Sequence, residues 1–233
     1  MLKIFKFSKT GPKLPSSTLK MSKNSFRSFS SENLKSENSK YSMSKEICTY
    51  TSCYCEENIY KLTEKIKNAE NNVEQAESTN FPKLSDTKVL FLSNSNESFP
   101  IWKMTLGEFV MWDYHVILFD SKNKFIFDLD STIPGFPVSA ETYFKESLHY
   151  PDTFDDKYVQ YLRVVDSEFF LRDFASDRSH MKACFDKSPP PKYDCILNGK
   201  GEVNNLDEYR KFGKGDGKGE ILTRDQFYEE YIE

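Results

Sequence analysis

The stretch WDYHVILFDSKNKFIFDLD, Trp112–Asp130, contains the pattern that decides the fold. Two apolar runs, Tyr114–Asp120 and Phe125–Asp130, flank the polar segment Ser121–Lys124. Apolar runs rich in β-branched and aromatic residues and joined by a short polar turn predict an antiparallel β-hairpin. We therefore expect a sheet organised around this hairpin.

The hairpin also brings a histidine and an aspartate together. The numbers of His115 and Asp128 sum to 243, and a register in which every pair has that sum places the two residues opposite each other. Directly opposed side chains share a face, with Cβ atoms about 4.5–5.5 Å apart. Such a carboxylate can hold one imidazole nitrogen and leave the other free to take a proton. The alternative is that the hydrogen bond between His115 and Asp128 only stabilises the sheet.

A cysteine begins the first predicted helix. Ile59, Leu62 and Ile66 recur at helical spacing, which predicts a helix from Cys55 to about Ala69. A helix N-terminus carries partial positive charge and free N–H groups, which favour a thiolate and can bind an oxyanion. The two glutamates that follow Cys55 act against ionisation of the thiol. A buried, inert cysteine is the alternative here.

The remaining elements complete an α+β pattern with an antiparallel sheet packed against helices. Residues 71–86 and 213–219 are predicted to be loops. Further strands are predicted at Lys88–Leu92, Pro100–Met104 and Tyr161–Val165, and a last helix at about Thr223–Tyr231.

Composition divides the chain in two. The whole chain carries a formal net charge of −4, but residues 1–45 contain nine Lys, one Arg and two acids, a net of +8, which leaves −12 for residues 46–233. The basic, Ser-rich segment 1–45 is predicted to be a disordered extension, with an organelle transit peptide as the alternative. Residues 46–233 are predicted to form a single catalytic domain.

The same composition excludes several classes of function. An acidic body does not favour nucleic-acid binding and suits a positively charged partner. No apolar run approaches the ~20 residues needed to cross a bilayer. The five cysteines are an odd number and no export signal is visible, so we expect reduced thiols and a cytoplasmic, or also nuclear, location.

Four ordered blocks resemble one known family. They are SCYCEENI at 52–59, WDYHV at 112–116, FDLD at 127–130 and FASDRSHM at 174–181. These blocks resemble the protein N-terminal glutamine amidohydrolases, the WDYHV-motif family of the N-degron pathway. The resemblance implies a transglutaminase- or papain-like fold with the nucleophile at a helix N-terminus. It also implies a triad of Cys55, His115 and Asp128.

The same resemblance implies a reaction and its partners. The side-chain amide of an N-terminal glutamine is hydrolysed to glutamate through a cysteine thioester, with release of ammonia and without a cofactor. We expect a monomer that acts on proteins or peptides with N-terminal Gln. A carboxylate should bind the substrate's α-ammonium, and the candidates are Asp113, Asp177 and Glu57.

Two other interpretations stay open. A papain-like thiol peptidase or a transamidase would use the same triad, and a non-catalytic binding module would leave Cys55 inert. The spacings C-x4-C-x-C and H-x3-C-x10-C differ from the paired cysteines of structural zinc sites, which argues against metal. His180 belongs to the last of the four blocks, in a polar segment that could line a cleft or cap a turn.

Overall fold

The computed structural model describes residues 41, 43–72, 81–150, 155–213 and 217–233. Within them the chain forms the predicted α+β fold with antiparallel strands, which are arranged in two sheets. The larger sheet has the order β6-β5-β4-β1-β7-β8, and a separate hairpin pairs β2 with β3. The strands are β1 Thr87–Ser93, β2 Phe99–Met104, β3 Gly107–Trp112, β4 His115–Asp120, β5 Phe125–Phe127, β6 Val138–Ser139, β7 Tyr161–Asp166 and β8 Glu220–Thr223.

Five α-helices and four short 3₁₀ helices accompany the strands in the described residues. The α-helices are α1 Cys55–Glu70, α2 Ala140–Glu146, α3 Ser167–Asp173, α4 Leu206–Arg210 and α5 Arg224–Tyr231. The 3₁₀ helices are Lys45–Ile47, Leu84–Asp86, Asp156–Tyr158 and Ser179–Cys184. The predicted first and last helices are confirmed. Thr223 and Gln226 form a capping box that fixes the start of α5. None of these helices is long and apolar enough to cross a membrane.

Both faces of the large sheet are covered, which explains why all six residues of β4 are buried. Successive side chains of a strand point to opposite faces. Val116 and Leu118 pack in the core that contains the apolar residues of α1 and α3. Ile117 and Phe119 pack in a second core, with the β2–β3 hairpin, α2 and α5. The sheet is therefore a central layer, and α1 meets β4 on one side of it.

The hairpin forms, but its predicted register is wrong by two residues. Asp120 pairs with Phe125 and Leu118 with Phe127, so paired numbers sum to 245. All four residues 121–124 lie in the loop because the Asp120 carboxylate accepts hydrogen bonds from the backbone N–H of Lys122 and of Asn123, each 3.0 Å long. A shift of two preserves which face each side chain occupies.

Two residues before position 46 pack against the folded domain. Tyr41 and Met43 are both 7% exposed and belong to the core beside α1. The Tyr41 hydroxyl donates to Asp120 and accepts a 2.7 Å hydrogen bond from Asn123 Nδ2. The sequence pattern does not indicate these contacts, because two apolar side chains in a Ser-rich segment are too few to give a periodic signal. The remainder of the predicted disordered extension lies outside the described residues.

Candidate active site

Cys55 is the first residue of α1, and its side chain is turned into the protein, 4% exposed. Burial raises the pKa of the Cys55 thiol well above its usual range, and the charges of Glu56 and Asp130 raise it further. A hydrogen bond from the backbone of Val116 acts in the opposite direction. Together, these effects oppose the ionisation of the thiol that the helix N-terminus favours. A raised pKa favours the protonated thiol, so a nearby base would assist its ionisation.

His115 lies one residue from that backbone contact, and it pairs with Asp128. The His115 Nε2 and Asp128 Oδ1 atoms are 3.1 Å apart, and both residues are buried. Asp128 no longer lies in the β4–β5 ladder, but it remains on the face that His115 occupies. The contact between the two side chains is thus present although the register that predicted it is not.

The Asp128 carboxylate has a second hydrogen-bond donor in the Tyr143 hydroxyl, 2.7 Å from Oδ2, and a third in the backbone N–H of Asp130. Burial by itself raises the pKa of Asp128, but the charge of His115 and these hydrogen bonds outweigh it, and the pKa is lowered. Burial lowers the pKa of His115, yet attraction to Asp128 outweighs that effect and the pKa is raised.

This pairing fixes how His115 can act. Nε2 faces the carboxylate and therefore carries the proton, as assigned from its hydrogen bond. Among the described residues, Nδ1 has no hydrogen-bond partner although it is buried. A neutral imidazole with a free Nδ1 is a proton acceptor.

A pocket of about 220 Å³ opens onto Cys55. His115 is not among the residues that line it, but its ring packs against that of Trp112, with centroids 5.5 Å apart. The lining residues are Cys53, Cys55, Trp112, Asp113, Tyr114, His180, Met181 and Arg210. The pocket thus combines the thiol with aromatic walls, one carboxylate and one guanidinium.

Behind the pocket lies a buried carboxylate that the sequence reasoning did not assign to the site. Glu56 is fully buried, and its Oε2 accepts a 3.0 Å hydrogen bond from the Tyr114 hydroxyl and lies 3.6 Å from Cys55 Sγ. Its Oε1 lies 3.4 Å from His180 Nε2. Sequence position indicated only that this glutamate follows the cysteine. The contact with Tyr114 is long-range and depends on how α1 meets β4.

The three predicted ammonium ligands have different surroundings. Asp113 lines the pocket, although it precedes β4, so strand alternation was the wrong reason for placing it there. Burial raises the pKa of Asp113, while a backbone hydrogen bond from Tyr114 and the charge of Arg210 lower it. Asp177 does not line the pocket; its Oδ1 accepts hydrogen bonds from the backbone N–H of Ser179, at 2.9 Å, and from a side-chain amide.

Glu57 is also withdrawn from the pocket. It is fully buried and forms a two-pronged ion pair with Arg178, whose Nε and Nη2 each lie 2.9 Å from a carboxylate oxygen. The same guanidinium donates to the carbonyl oxygens of Pro191, Tyr193 and Asp194. Glu57 thus fixes the segment after the triple proline against α1, and its oxygens are occupied.

The residues that could hold a metal are already joined by hydrogen bonds. Within the described parts of the chain, the ligand atoms of His115, Asp128 and Asp130 lie within 4.8 Å of one another. Asp128 is occupied by the histidine and Tyr143, and Asp130 Oδ1 accepts a 2.6 Å hydrogen bond from the Tyr50 hydroxyl. All five cysteines are free thiols, and none belongs to such a group. Hydrogen bonding accounts for this cluster without an ion.

A thiol at a helix N-terminus, next to a strand that carries a carboxylate-bound histidine, is the arrangement typical of cysteine-dependent hydrolases. The chain belongs to the N-terminal glutamine amidase family, whose sequence profile matches residues 50–231. It is 36% identical over 192 residues to the protein N-terminal glutamine amidohydrolase of Danio rerio, covering 79% of this chain and 89% of that protein.

Other relatives carry the same name. The Homo sapiens protein is 36% identical over 191 residues, covering 78% of this chain and 87% of the relative. The Drosophila melanogaster protein is 30% identical over 193 residues, covering 79% and 88%. The resemblance seen in the four sequence blocks is confirmed at the level of the family.

Proposed function

We propose that this chain hydrolyses the side-chain amide of an N-terminal glutamine on proteins or peptides, releasing ammonia and leaving glutamate. The observation that carries the proposal is the pocket that Cys55 and Asp113 line together. A thiol can attack a carboxamide, and a carboxylate can bind the α-ammonium that only a chain terminus presents. The family and the names of the relatives support the same reaction.

The first half of the reaction forms a thioester. His115 Nδ1 takes the thiol proton as Cys55 Sγ attacks the amide carbon. The carbon–nitrogen bond then breaks, and the protonated His115 gives its proton to the departing ammonia. Asp128 holds the ring and stabilises its positive charge while the proton is on it.

The second half of the reaction regenerates the thiol. Water loses a proton to His115 and attacks the thioester carbon, the carbon–sulfur bond breaks, and the proton returns to the sulfur. The N-terminal N–H groups of α1 stabilise the oxyanion in both halves. They are available because Tyr54, which precedes the helix, makes no side-chain capping hydrogen bond.

Asp113 is proposed as the residue that binds the substrate's α-ammonium. It lines the pocket with the thiol, whereas Asp177 and Glu57 are held by other partners. A buried carboxylate gains from pairing with a cation, so the bound ammonium should also favour the charged form of Asp113. The bound ammonium should also favour ionisation of the Cys55 thiol, because its positive charge offsets the negative charges that oppose that ionisation.

Further proposals concern the fold family, the pathway and the location of this protein. We propose a transglutaminase- or papain-like fold, supported by a cysteine-led helix that packs on the histidine-bearing strand. The product would enter the N-degron pathway upstream of arginylation. A cytoplasmic or nuclear location is supported by the free thiols.

The decisive test compares three peptides of otherwise identical sequence, with free N-terminal Gln, acetylated N-terminal Gln and internal Gln. Ammonia release and a mass increase of about one dalton should occur only with the free N-terminal peptide. Asp113→Asn should raise KM for that peptide more than it lowers kcat. Efficient turnover of the acetylated or internal Gln would instead favour a general transamidase or peptidase.

A further inference from the structure

The buried carboxylate of Glu56 has no role in the reaction above. Its side chain is fully buried in the first turn of α1, next to the nucleophile, and its Oε2 lies 3.6 Å from Cys55 Sγ. The charge of Glu56 raises the pKa of that thiol more than any other charge among the described residues. A charge that hinders the first step of the reaction therefore needs a different explanation.

Structural support does not explain the charge of Glu56. Its Oε2 accepts a 3.0 Å hydrogen bond from the Tyr114 hydroxyl, but the amide oxygen of a glutamine would accept the same bond. The neighbouring Glu57 differs, because it forms an ion pair with Arg178. Among the described residues, the one basic side chain within 4.0 Å of Glu56 is His180, whose Nε2 lies 3.4 Å from Oε1 without a hydrogen bond. Glu56 thus places a negative charge beside the thiol without a lysine or arginine partner.

We infer that Glu56 makes the site bind the neutral carboxamide of the substrate in preference to the carboxylate of the product, so that N-terminal glutamate leaves after hydrolysis. This inference rests on the proposed function. The reacting carbon must approach Cys55 Sγ to within about 3–3.5 Å. Because Glu56 Oε2 lies 3.6 Å from the same sulfur, the carboxylate made from that carbon forms within about 7 Å of Oε2. Two like unit charges at that separation, with an effective dielectric constant of about 20, repel each other enough to weaken binding by more than about tenfold.

The other acids near the thiol act in the same direction. Asp130 and Asp113 follow Glu56 among the negative charges that raise the pKa of Cys55. The substrate's α-ammonium would offset the charge of Asp113, but it is present in the substrate and in the product alike. Substrate and product therefore differ by the charge that forms beside Glu56.

The cations near the site have acidic partners of their own. Arg210 is the one arginine or lysine among the described residues that line the pocket, and its Nε donates a 2.7 Å hydrogen bond to Asp207. His115 pairs with Asp128, with Nε2 and Oδ1 3.1 Å apart. Neither pair adds a net positive charge that would hold the product carboxylate at the sulfur.

The test measures binding by titration calorimetry to the full-length Cys55→Ala protein, which should bind the peptides without turning them over. Two peptides differ only in their first residue, Gln or Glu. The Cys55→Ala protein should bind the Gln peptide more tightly by about tenfold or more. Adding Glu56→Gln should reduce that preference to about twofold or less, mainly through tighter binding of the Glu peptide. Adding Glu56→Asp, which keeps the charge, should retain part of the preference.

Glu57→Gln, added to the same Cys55→Ala protein, is the matched control. It makes the same substitution in the next residue, which is also a fully buried acid, but its carboxylate is held by Arg178. The folded control variant should keep the preference for the Gln peptide.

Each other outcome has a distinct meaning. Equal binding of the two peptides by folded Cys55→Ala would overturn the inference. An unchanged preference after Glu56→Gln in a folded protein would also overturn it, because the discrimination would then come from other groups such as Asp113 and Asp130. If the wild-type protein released no ammonia from the Gln peptide, the proposed function itself would fail, which separates that failure from an error about Glu56.

Discussion

Replacement of Asp128 by asparagine removes a negative charge next to His115 while leaving a side chain of nearly the same shape. The lower limit of the effect comes from the hydrogen bond itself. Exchanging a charged acceptor for a neutral one costs about 1 kcal/mol, or roughly a fivefold loss. The upper limit comes from the charges. Two unit charges at the observed 3.1 Å separation, with an effective dielectric constant of about 20, interact by about 5 kcal/mol.

We therefore expect Asp128→Asn to lower kcat for a free N-terminal Gln peptide by between about fivefold and about 10⁴-fold. Asp130→Asn is the matched control. Asp130 is also buried and close to His115, but its hydrogen bonds go to Tyr50 and Thr105. The Asp130→Asn variant should lose less activity than the Asp128→Asn variant. The activity of both variants is measured as the initial rate of ammonia release, after circular dichroism has shown that each variant is folded. A folded Asp128→Asn protein with unchanged kcat would refute the assigned role.

Three predictions concern stability. A chain that starts at residue 46 instead of 41 loses the buried Tyr41 and Met43, and urea unfolding should show a loss of about 3 kcal/mol or more; equal stability would contradict their burial. Glu57→Gln leaves Arg178 buried without its partner and should cost about 3–5 kcal/mol, while KM of the folded protein stays unchanged. The pKa of Asp173 is lowered to about 2, because hydrogen bonds from Lys and Tyr outweigh its burial. Since an unfolded aspartate titrates near pH 4, its stabilising effect, about 2 kcal/mol or less, should be complete above that pH and vanish as the pH falls towards 2. Asp173→Asn should remove this part of the pH dependence.

The local features of the fold were accessible from the sequence, because they depend on neighbours in the chain. The helix that begins at Cys55 follows from apolar periodicity, and the strand that contains Leu118 follows from a continuous apolar run. The hairpin register does not, since its loop is set by how the Asp120 side chain caps the turn. The strand Gly107–Trp112 was not predicted. It alternates weakly because only part of it is buried.

The site shows the same division. Cys55, His115 and Asp128 could be proposed from their positions and from the family blocks, whereas Asp113 was proposed from strand alternation, although it precedes β4. Glu56 and Arg210 could not be proposed, since their positions depend on contacts with Tyr114 and on the pocket that α1, the 3₁₀ helix Ser179–Cys184 and α4 form together. Such contacts join residues far apart in the chain, and no local pattern indicates them.

The central claim is that the thiol of Cys55 performs the chemistry. Cys53 is the natural control, because it lines the same pocket two residues earlier but precedes the helix. The most direct measurement is ammonia release from a free N-terminal Gln peptide by the wild-type protein, Cys55→Ala and Cys53→Ala, all confirmed as folded. We predict one ammonia per peptide for the wild type, most of that rate for Cys53→Ala and none for Cys55→Ala. Sustained release by folded Cys55→Ala, or a Cys53→Ala protein that alone is inactive, would contradict the account.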